Sequence, residues 1–424
     1  MSLLRSVPVG AVCLLWATWL GATPSVESPA APVALREAVQ MVWQASPEVA
    51  AAQAGRDAAL ARAQAAGRPL YNPELQFEAE NADVDRRVAG LGLTLDLSGK
   101  RSARAAQGEA VAQASEAAYA LARRDVAARW LKAWAAQAQL ARQVALGRER
   151  VELMRRFDAL AAERLRVGDL GSPERYLAAL ALSEAQMQQA VLQGQEAAAR
   201  AALSAIAGAA QARESAVLPP MPAELPTTAD GVAPRHPDAL PEWAQMRAEQ
   251  RAAAAGVRVA RRARVPDPTV SLTGGTVRSG ARRDRVAGIS VSIPLPLLNS
   301  GSAEVAAALA EENAADARLR AREFAQRAGL LESKARYAAL RDAASAFRAG
   351  RAGALNERAM LLEKLWRASE IGTADYLTQL KQSLDTALSG QELEAQVWQA
   401  WFDYLAAAGR LQDWLAGSLA ENAP

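Results

Sequence analysis

The sequence predicts a mainly helical chain with a small β part: long coiled-coil helical hairpins plus four strands, set out in two copies of one plan. Three observations carry that fold class. Long proline-free tracts are rich in Ala, Arg and Glu, which favour helix. Short segments alternate strictly between apolar and polar residues. LGLTLDLSGK (residues 91–100) puts Leu91, Leu93, Leu95 and Leu97 on one parity and Gly92, Thr94, Asp96 and Ser98 on the other, so a strand here has one apolar wall. Finally, the chain repeats itself.

In chain order, residues 1–22 read as an export signal. Arg5 precedes the apolar core VGAVCLLWATWLG (9–21), and Gly21 and Ala22 supply small residues for cleavage. The rival reading, a membrane anchor, needs a longer run of about 20 apolar residues. The single cysteine, Cys13, lies inside this core behind Gly10, Ala11 and Val12, a poor lipoprotein box, so the mature chain is expected to be exported and free of disulfides. No later segment is a candidate transmembrane helix, and membrane insertion would fall to strands.

The repeat divides the rest into 23–216, a proline-rich extended connector (217–237), 238–416 and a tail (417–424). SPEVAAAQAGRDAALARAQAAGRPLYNPELQFEAE (46–80) and HPDALPEWAQMRAEQRAAAAGVRVARRARVPDPTVSLTG (236–274) each run from a proline step through an Ala/Arg helix to an Asn-Pro or Asp-Pro step. VAGLGLTLDL (88–97) then matches VAGISVSIPL (286–295), with Ile289, Val291 and Ile293 on the apolar parity. LRVGDLGSPERYL (165–177) is echoed by SEIGTADYL (369–377). The first half is expected to hold strands within 74–97 and long helices at 102–167 and 172–210. For the second half the spans are 269–295, 302–371 and 373–416. Strands end where Pro294 and Pro296 begin, and the loops between them carry Asp83, Asp85, Arg86 and Arg87, or Arg278, Arg282, Arg283 and Arg285.

A helix of 66 to 70 residues reaches about 100 Å, too long for a compact domain. Leu330, Tyr337, Leu340, Ala344 and Phe347 follow coiled-coil spacing. Gly108, Gly147, Gly350 and Gly353 would weaken the helices locally, by about 1 kcal/mol each.

Composition excludes more than it assigns. The net charge of +3 is small against 49 basic and 46 acidic residues, so nothing points to nucleic acid. An enzyme finds little support. His236 sits between prolines in the connector, and no cysteine nucleophile, Cys/His cluster or phosphate loop is present. GGTVRSG (274–280) lacks the Gly-Lys-Ser/Thr ending, and Glu311–Glu312 is an ordinary solvated pair. No cofactor or bound metal is expected. The strands suit two readings: half-buried hairpins on a soluble helical protein, or transmembrane strands, whose length they match. In lipid, four strands cannot close a barrel. Two chains would give eight strands and a plugged lumen, three chains twelve and a channel.

With these residues in view, the chain resembles the TolC family of outer-membrane efflux channels along essentially its whole mature length. NPELQFEAEN (72–81), LTLDLSGKRSAR (93–104) and ISVSIPLPLLNSG (289–301) look like its CzcC-type, heavy-metal branch. The resemblance implies a homotrimer in the Gram-negative outer membrane, with a twelve-stranded barrel and a periplasmic coiled-coil tunnel. It implies work with a periplasmic adaptor and an inner-membrane pump of the resistance–nodulation–division class. It further implies that the hairpin turns form the tip that meets the adaptor and narrows into an aperture: Arg164, Gly168 and Glu174 in one, Arg367, Gly372 and Asp375 in the other. Gly168 and Gly372 would allow the reversal. Members often carry an acid six residues after that glycine; Glu174 fits, whereas Thr378 takes the place in the second half. Helix-start stabilisation is the other reading of Glu174 and Asp375. Leu91, Leu93, Leu95, Leu97, Ile289, Val291 and Ile293 would face lipid, with Thr94 and Asp96 toward the lumen. Cargo stays open between metal cations and drugs, and an adaptor or a structural coiled coil is the reading from another class.

Overall fold

A computed structural model describes residues 31–81, 83–208, 218–350 and 354–419. The expected signal segment lies outside the described residues. Nine helices and four strands follow one another as α1 (Val33–Ala45), α2 (Pro47–Ala66), β1 (Glu74–Glu80), β2 (Val84–Thr94), α3 (Lys100–Arg166), α4 (Ser172–Ala207), α5 (Pro241–Ala263), β3 (Thr269–Ser279), β4 (Arg282–Ser292), α6 (Ser302–Ala349), α7 (Ala354–Arg367), α8 (Thr373–Ala407) and α9 (Leu411–Ala416) among the described residues.

The 67 residues of α3 run unbroken, about 100 Å of helix. Its start is fixed locally. Gly99 adopts φ 72° as the N-cap, and the Asp96 carboxylate accepts the backbone N–H of Lys100 (2.9 Å) and Arg101 (2.8 Å). α6 begins the same way at Gly301 (φ 66°), whose N–H donates to Asn299 Oδ1 at 2.9 Å. Two arginines at the end of α5 hold both exits. Arg262 donates to the carbonyls of Ser98 and Gly99, and Arg264 to that of Ser300.

Three expected spans need correction. A single helix over 302–371 is not formed: α6 stops at Ala349 with Gly350 as its cap, and α7 starts at Ala354. Absence of proline permits a helix, but two glycines within four residues remove enough propensity to let it end. The helix expected over 373–416 also divides, because the chain reverses at Gly409 (φ 71°), where a Cβ would overlap the Leu240 side chain. Finally, β2 ends at Thr94 and β4 at Ser292, so Leu95, Leu97 and Ile293 lie just past the strands, and Asp96 is a helix cap rather than a strand residue. The charged segments expected as loops, Val84 to Arg87 and Arg282 to Arg285, are paired strand instead.

The coiled-coil seam behaves as its spacing predicts: Tyr337 and Ala344 are buried, and Leu330 and Leu340 pack against the same core. That core gathers Trp130, Trp134, Trp401, Phe402 and Tyr404 beside Tyr337. Tyr337 and Tyr404 stack at 6.0 Å, and Trp401 lies 5.0 Å from Tyr337. Each such ring contributes a few kcal/mol, on the order of 2–3 for full burial.

The connector is extended but not free. An extended segment outside a sheet leaves its carbonyls unpaired, and here side chains take them. Trp134 donates to Pro219, Arg142 to Met221, Arg348 to Ala223, Arg341 to Pro226, Tyr337 to Thr227, Tyr404 to Ala229 and Val232, and Arg410 to Ala233. The segment is a strap over the core, with Met221, Ala229 and Val232 buried beneath it. His236 is exposed at its end.

Candidate functional site

The four strands form one antiparallel sheet in the order β1-β2-β3-β4, so the hairpins of the two halves join along β2 and β3. Register aligns rows of residues across it. One face carries Leu75, Leu91, Leu272 and Ile289 in a row, flanked by the rows Leu93–Val270–Val291 and Phe77–Ala89–Gly274–Ala287. The opposite face carries Gln76–Gly90–Thr273–Gly288 and Glu74–Gly92–Ser271–Ser290. The two-sided pattern expected of Leu91, Leu93, Ile289 and Val291 is therefore a property of the whole sheet. Gly275 is obligatory at the central seam, since a Cβ there would overlap the Arg87 carbonyl and Val88 of β2.

Among the described residues no helix packs over either face of this sheet. Its apolar side is bare: Phe77 is 77% exposed, Ile289 71% and Leu91 52%. Leu95, Leu97, Ile293, Leu295, Leu297 and Leu298 continue the exposed apolar surface toward the helices. Among the described residues β1 and β4 each lack a partner on their outer side. Hairpins half-buried on a soluble helical body are thereby excluded. Charges divide by face as well. Glu74, Glu78, Glu80 and Asp284 share the polar side with Arg86 and Arg282, whereas Arg87, Arg278, Arg283 and Arg285 stand with Asp85 on the apolar side, beyond the Phe77 row.

Sheet and helices meet at a buried acid that sequence reading missed. Asp267, in the Pro-Asp-Pro step before β3, accepts hydrogen bonds from Lys100 Nζ (2.8 Å) and Tyr71 OH (2.7 Å). Lys100 belongs to the Gly-Lys-Arg step after β2, so this motif ties one half's exit from the sheet to the other half's way in. The repeated Asn-Pro and Asp-Pro steps were the available signal.

At the far end the two helical hairpins turn side by side. In the first turn, Gly168 takes φ 81°, its N–H donates to the Leu165 carbonyl, and the Asp169 N–H donates to that of Arg164, a glycine-type helix stop. The second turn has the same hydrogen bonds one position set later, Ser369 to Trp366 and Glu370 to Leu365, and the left-handed residue is Ser369 at φ 60°. Gly372 does not make the reversal. It has φ −70° and ψ 160° as the N-cap of α8, and its counterpart is Gly171, the N-cap of α4. Counting from those caps, Glu174 and Asp375 occupy the same third helical position, so the comparison with Thr378 falls away.

The tip residues differ in what they can still do. Glu174 is engaged: Oε2 accepts the Gly171 N–H at 3.1 Å and Oε1 the Thr373 hydroxyl at 3.3 Å. Asp375 is exposed. Arg164 joins the two turns, donating to Asp169 (2.9 Å), the Trp366 carbonyl (3.2 Å) and Ser369 Oγ (3.0 Å), with its guanidinium 4.9 Å from the Trp366 ring. Arg367 is exposed and pairs with Glu363 on its own helix. Beneath them lies an aromatic cluster that spacing did not disclose. Phe157 sits 4.6 Å from Trp366 and 4.7 Å from Tyr376. Burial pushes the Tyr376 phenol up to about 12. Arg175–Asp158 closes the first hairpin, and Lys381–Glu184 (2.7 Å) bridges to the second.

No group of three or more His, Cys, Asp or Glu that could hold a metal ion converges among the described residues. No described helix is long and apolar enough to cross a membrane.

No family model matches the chain. In sequence it is 26% identical over 250 residues to the cobalt-zinc-cadmium resistance protein CzcC of Cupriavidus metallidurans. That match spans 58% of this chain and 59% of the relative's length. In structure it is similar to a membrane protein from Pseudomonas aeruginosa, with a TM-score of 0.76 at 20% identity, covering 90% of this chain and 95% of that one. The Campylobacter jejuni CmeC outer membrane channel superposes with a TM-score of 0.72 at 15% identity, covering 89% and 86%. In fold the chain is similar to these solved proteins, an outer membrane channel among them, and in sequence over part of its length to CzcC.

Proposed function

We propose that this protein is the outer-membrane exit duct of a tripartite efflux system, most directly one that exports heavy-metal cations. The observation that carries the reading is the sheet: four strands with a bare apolar face, a polar face and two unpaired edges. Strand edges are not tolerated in hydrocarbon, so the edges must close on further copies of the chain. Three copies supply twelve strands and a lumen wide enough to conduct. The helices then continue as a tunnel into the periplasm, with the tip as the adaptor-facing aperture. The matching order of elements in the two halves supports an internal repeat.

Transport along such a duct is passive. A pump of the resistance–nodulation–division class at the inner membrane supplies the energy, and a periplasmic adaptor links pump and tip. Cation cargo is favoured by the polar face, where Glu74, Glu78, Glu80 and Asp284 outnumber Arg86 and Arg282. Acidic rings select for cations without holding them, and a duct must release what it carries. Of the two tip acids, exposed Asp375 suits the aperture, whereas Glu174 is committed to its helix start.

Purified protein in planar bilayers is expected to conduct with cation selectivity, reduced by Glu78→Gln with Glu80→Gln. Deleting the gene is expected to raise sensitivity to zinc, cobalt, cadmium, nickel, copper or silver. Sensitivity to drugs alone would assign the other cargo, and absence of any conductance would count against a duct.

A further inference from the structure

The arginines on the apolar side of the sheet are placed where a channel wall has least use for them. Strand alternation puts Arg87 on the same face as Leu91, and Arg283 and Arg285 on the same face as Ile289. On β3, Arg278 shares the face of Leu272. Arg87 and Arg285 flank Thr276 in one row, and Arg278 and Arg283 are direct cross-strand partners in the next. Like charges directly opposite one another destabilise a sheet. Carboxylates that could relieve them stand on the other face, apart from Asp85 beside Arg278. Arg278 donates through Nε to the Gly280 carbonyl at 3.3 Å, and Arg282 takes Asp284 at the turn.

These rows begin immediately beyond the Phe77–Ala89–Gly274–Ala287 row, at the hairpin end of the apolar band and away from the helices. On β4 the apolar parity runs from Ala287 through Ile289 to Val291, and the exposed Ile293, Leu295 and Leu297 continue it toward the helices. With that band in the hydrocarbon layer, the arginines fall at the headgroup level of the leaflet opposite the helices. A guanidinium there pairs with phosphate, which it grips in two parallel hydrogen bonds.

We infer that Arg87, Arg278, Arg283 and Arg285 form a lipid-facing girdle that binds the phosphate groups of phosphorylated glycolipid in the outer leaflet. In a closed barrel the girdle repeats once per chain around the wall. Bound lipid phosphates neutralise the Arg278–Arg283 repulsion and fix the depth of the barrel in the membrane. The inference rests on the outer-membrane channel reading, because it takes the apolar face as the lipid face.

The test uses the full-length protein in detergent, titrated with fluorescent bisphosphorylated lipid A, with its dephosphorylated form and with zwitterionic phosphatidylcholine. Wild type is expected to prefer the bisphosphorylated lipid by about tenfold or more. Combined Arg87→Gln, Arg278→Gln, Arg283→Gln and Arg285→Gln removes that preference, while Glu78→Gln with Glu80→Gln on the opposite face keeps it. Equal binding of phosphorylated and dephosphorylated lipid A by the wild type overturns the inference whatever the variants do. So does retention of the preference by the four-arginine variant, or displacement of the lipid by millimolar inorganic phosphate. Conductance of the wild type in phosphatidylcholine bilayers is read separately, so a failed lipid preference with intact conductance leaves the channel reading standing.

Discussion

The two ends of this molecule treat their large apolar residues in opposite ways. At the helical tip, Trp366 and Tyr376 are each 1% exposed, held against Phe157 inside a single chain. On the sheet, Phe77 and Ile289 stand open with no helix over them. A folded chain leaves a contiguous apolar surface of that kind only where something else covers it. The tip thus packs on itself within one chain, whereas in the proposed duct the sheet is completed by lipid on its apolar face and other copies at its edges.

The largest expected effect falls on the incomplete end. Leu91→Arg places a charge in the middle of the apolar band and costs about 2–4 kcal/mol per copy at the bilayer midplane. The protein is expected to leave the outer-membrane fraction. Gln76→Arg, in the neighbouring row but on the polar face, should stay in it. Equal loss from both would erase the distinction between the faces.

Next comes Trp366→Ala at the complete end, at about 3–5 kcal/mol for a buried aromatic. Because the tip packs on itself, the damage should stay local. Limited proteolysis is expected to cut near the α7–α8 turn while the oligomer and its membrane location persist. Loss of oligomer would show that the ends are coupled.

A smaller pair of substitutions compares the two turns directly. Gly168→Ala places a Cβ at φ 81° and is expected to lower the melting temperature of the helical part, whereas Ser369→Gly relieves φ 60° and should raise it. Each is worth about 1 kcal/mol, with opposite signs. Like signs would contradict the assignment of Ser369 as the reversal.

Smallest is the bridge between the hairpins. The Lys381 ammonium holds the Glu184 carboxyl below its usual value, outweighing the opposing effect of burial. A carboxyl lowered in the folded state stabilises fully above its unfolded value of about 4.5, and that stabilisation is lost as pH falls through the folded value. Both side chains are partly exposed, so the effect is small. Wild type is expected to melt slightly above Glu184→Gln near pH 7, with the gap closing near pH 3.

Much of this architecture could be read from period and repetition. Alternation exposed the apolar wall at Leu91, Leu93, Ile289 and Val291, and the unbroken Ala/Arg tract gave the length of α3. Local rules failed where the structure uses a different residue for the same geometry. Glycine stood proxy for the left-handed reversal, so Gly372 was expected to make a turn that Ser369 makes. Proline stood proxy for helix ends, so Gly350 was expected only to weaken the helix that it ends. Long-range pairings were invisible for a plainer reason. Lys100 with Asp267, or the connector carbonyls with Arg142 and Arg348, meet only after folding, and no local pattern records them. At the tip, residue types were legible but their state was not: Glu174 and Asp375 look alike in sequence, yet only one carboxylate is engaged.

The central claim is that β1 of one copy pairs with β4 of the next. Since the only cysteine is Cys13, and it can be replaced by Ser, a cysteine on β1 at Leu75 combined in turn with each of Ala287, Ile289 and Val291 on β4 reports that contact cleanly. Oxidation in membranes is expected to give, for one of these pairs, covalent species of two and three chains and none larger. Chains that stay monomeric throughout the series, or a ladder that passes three without stopping, would contradict it.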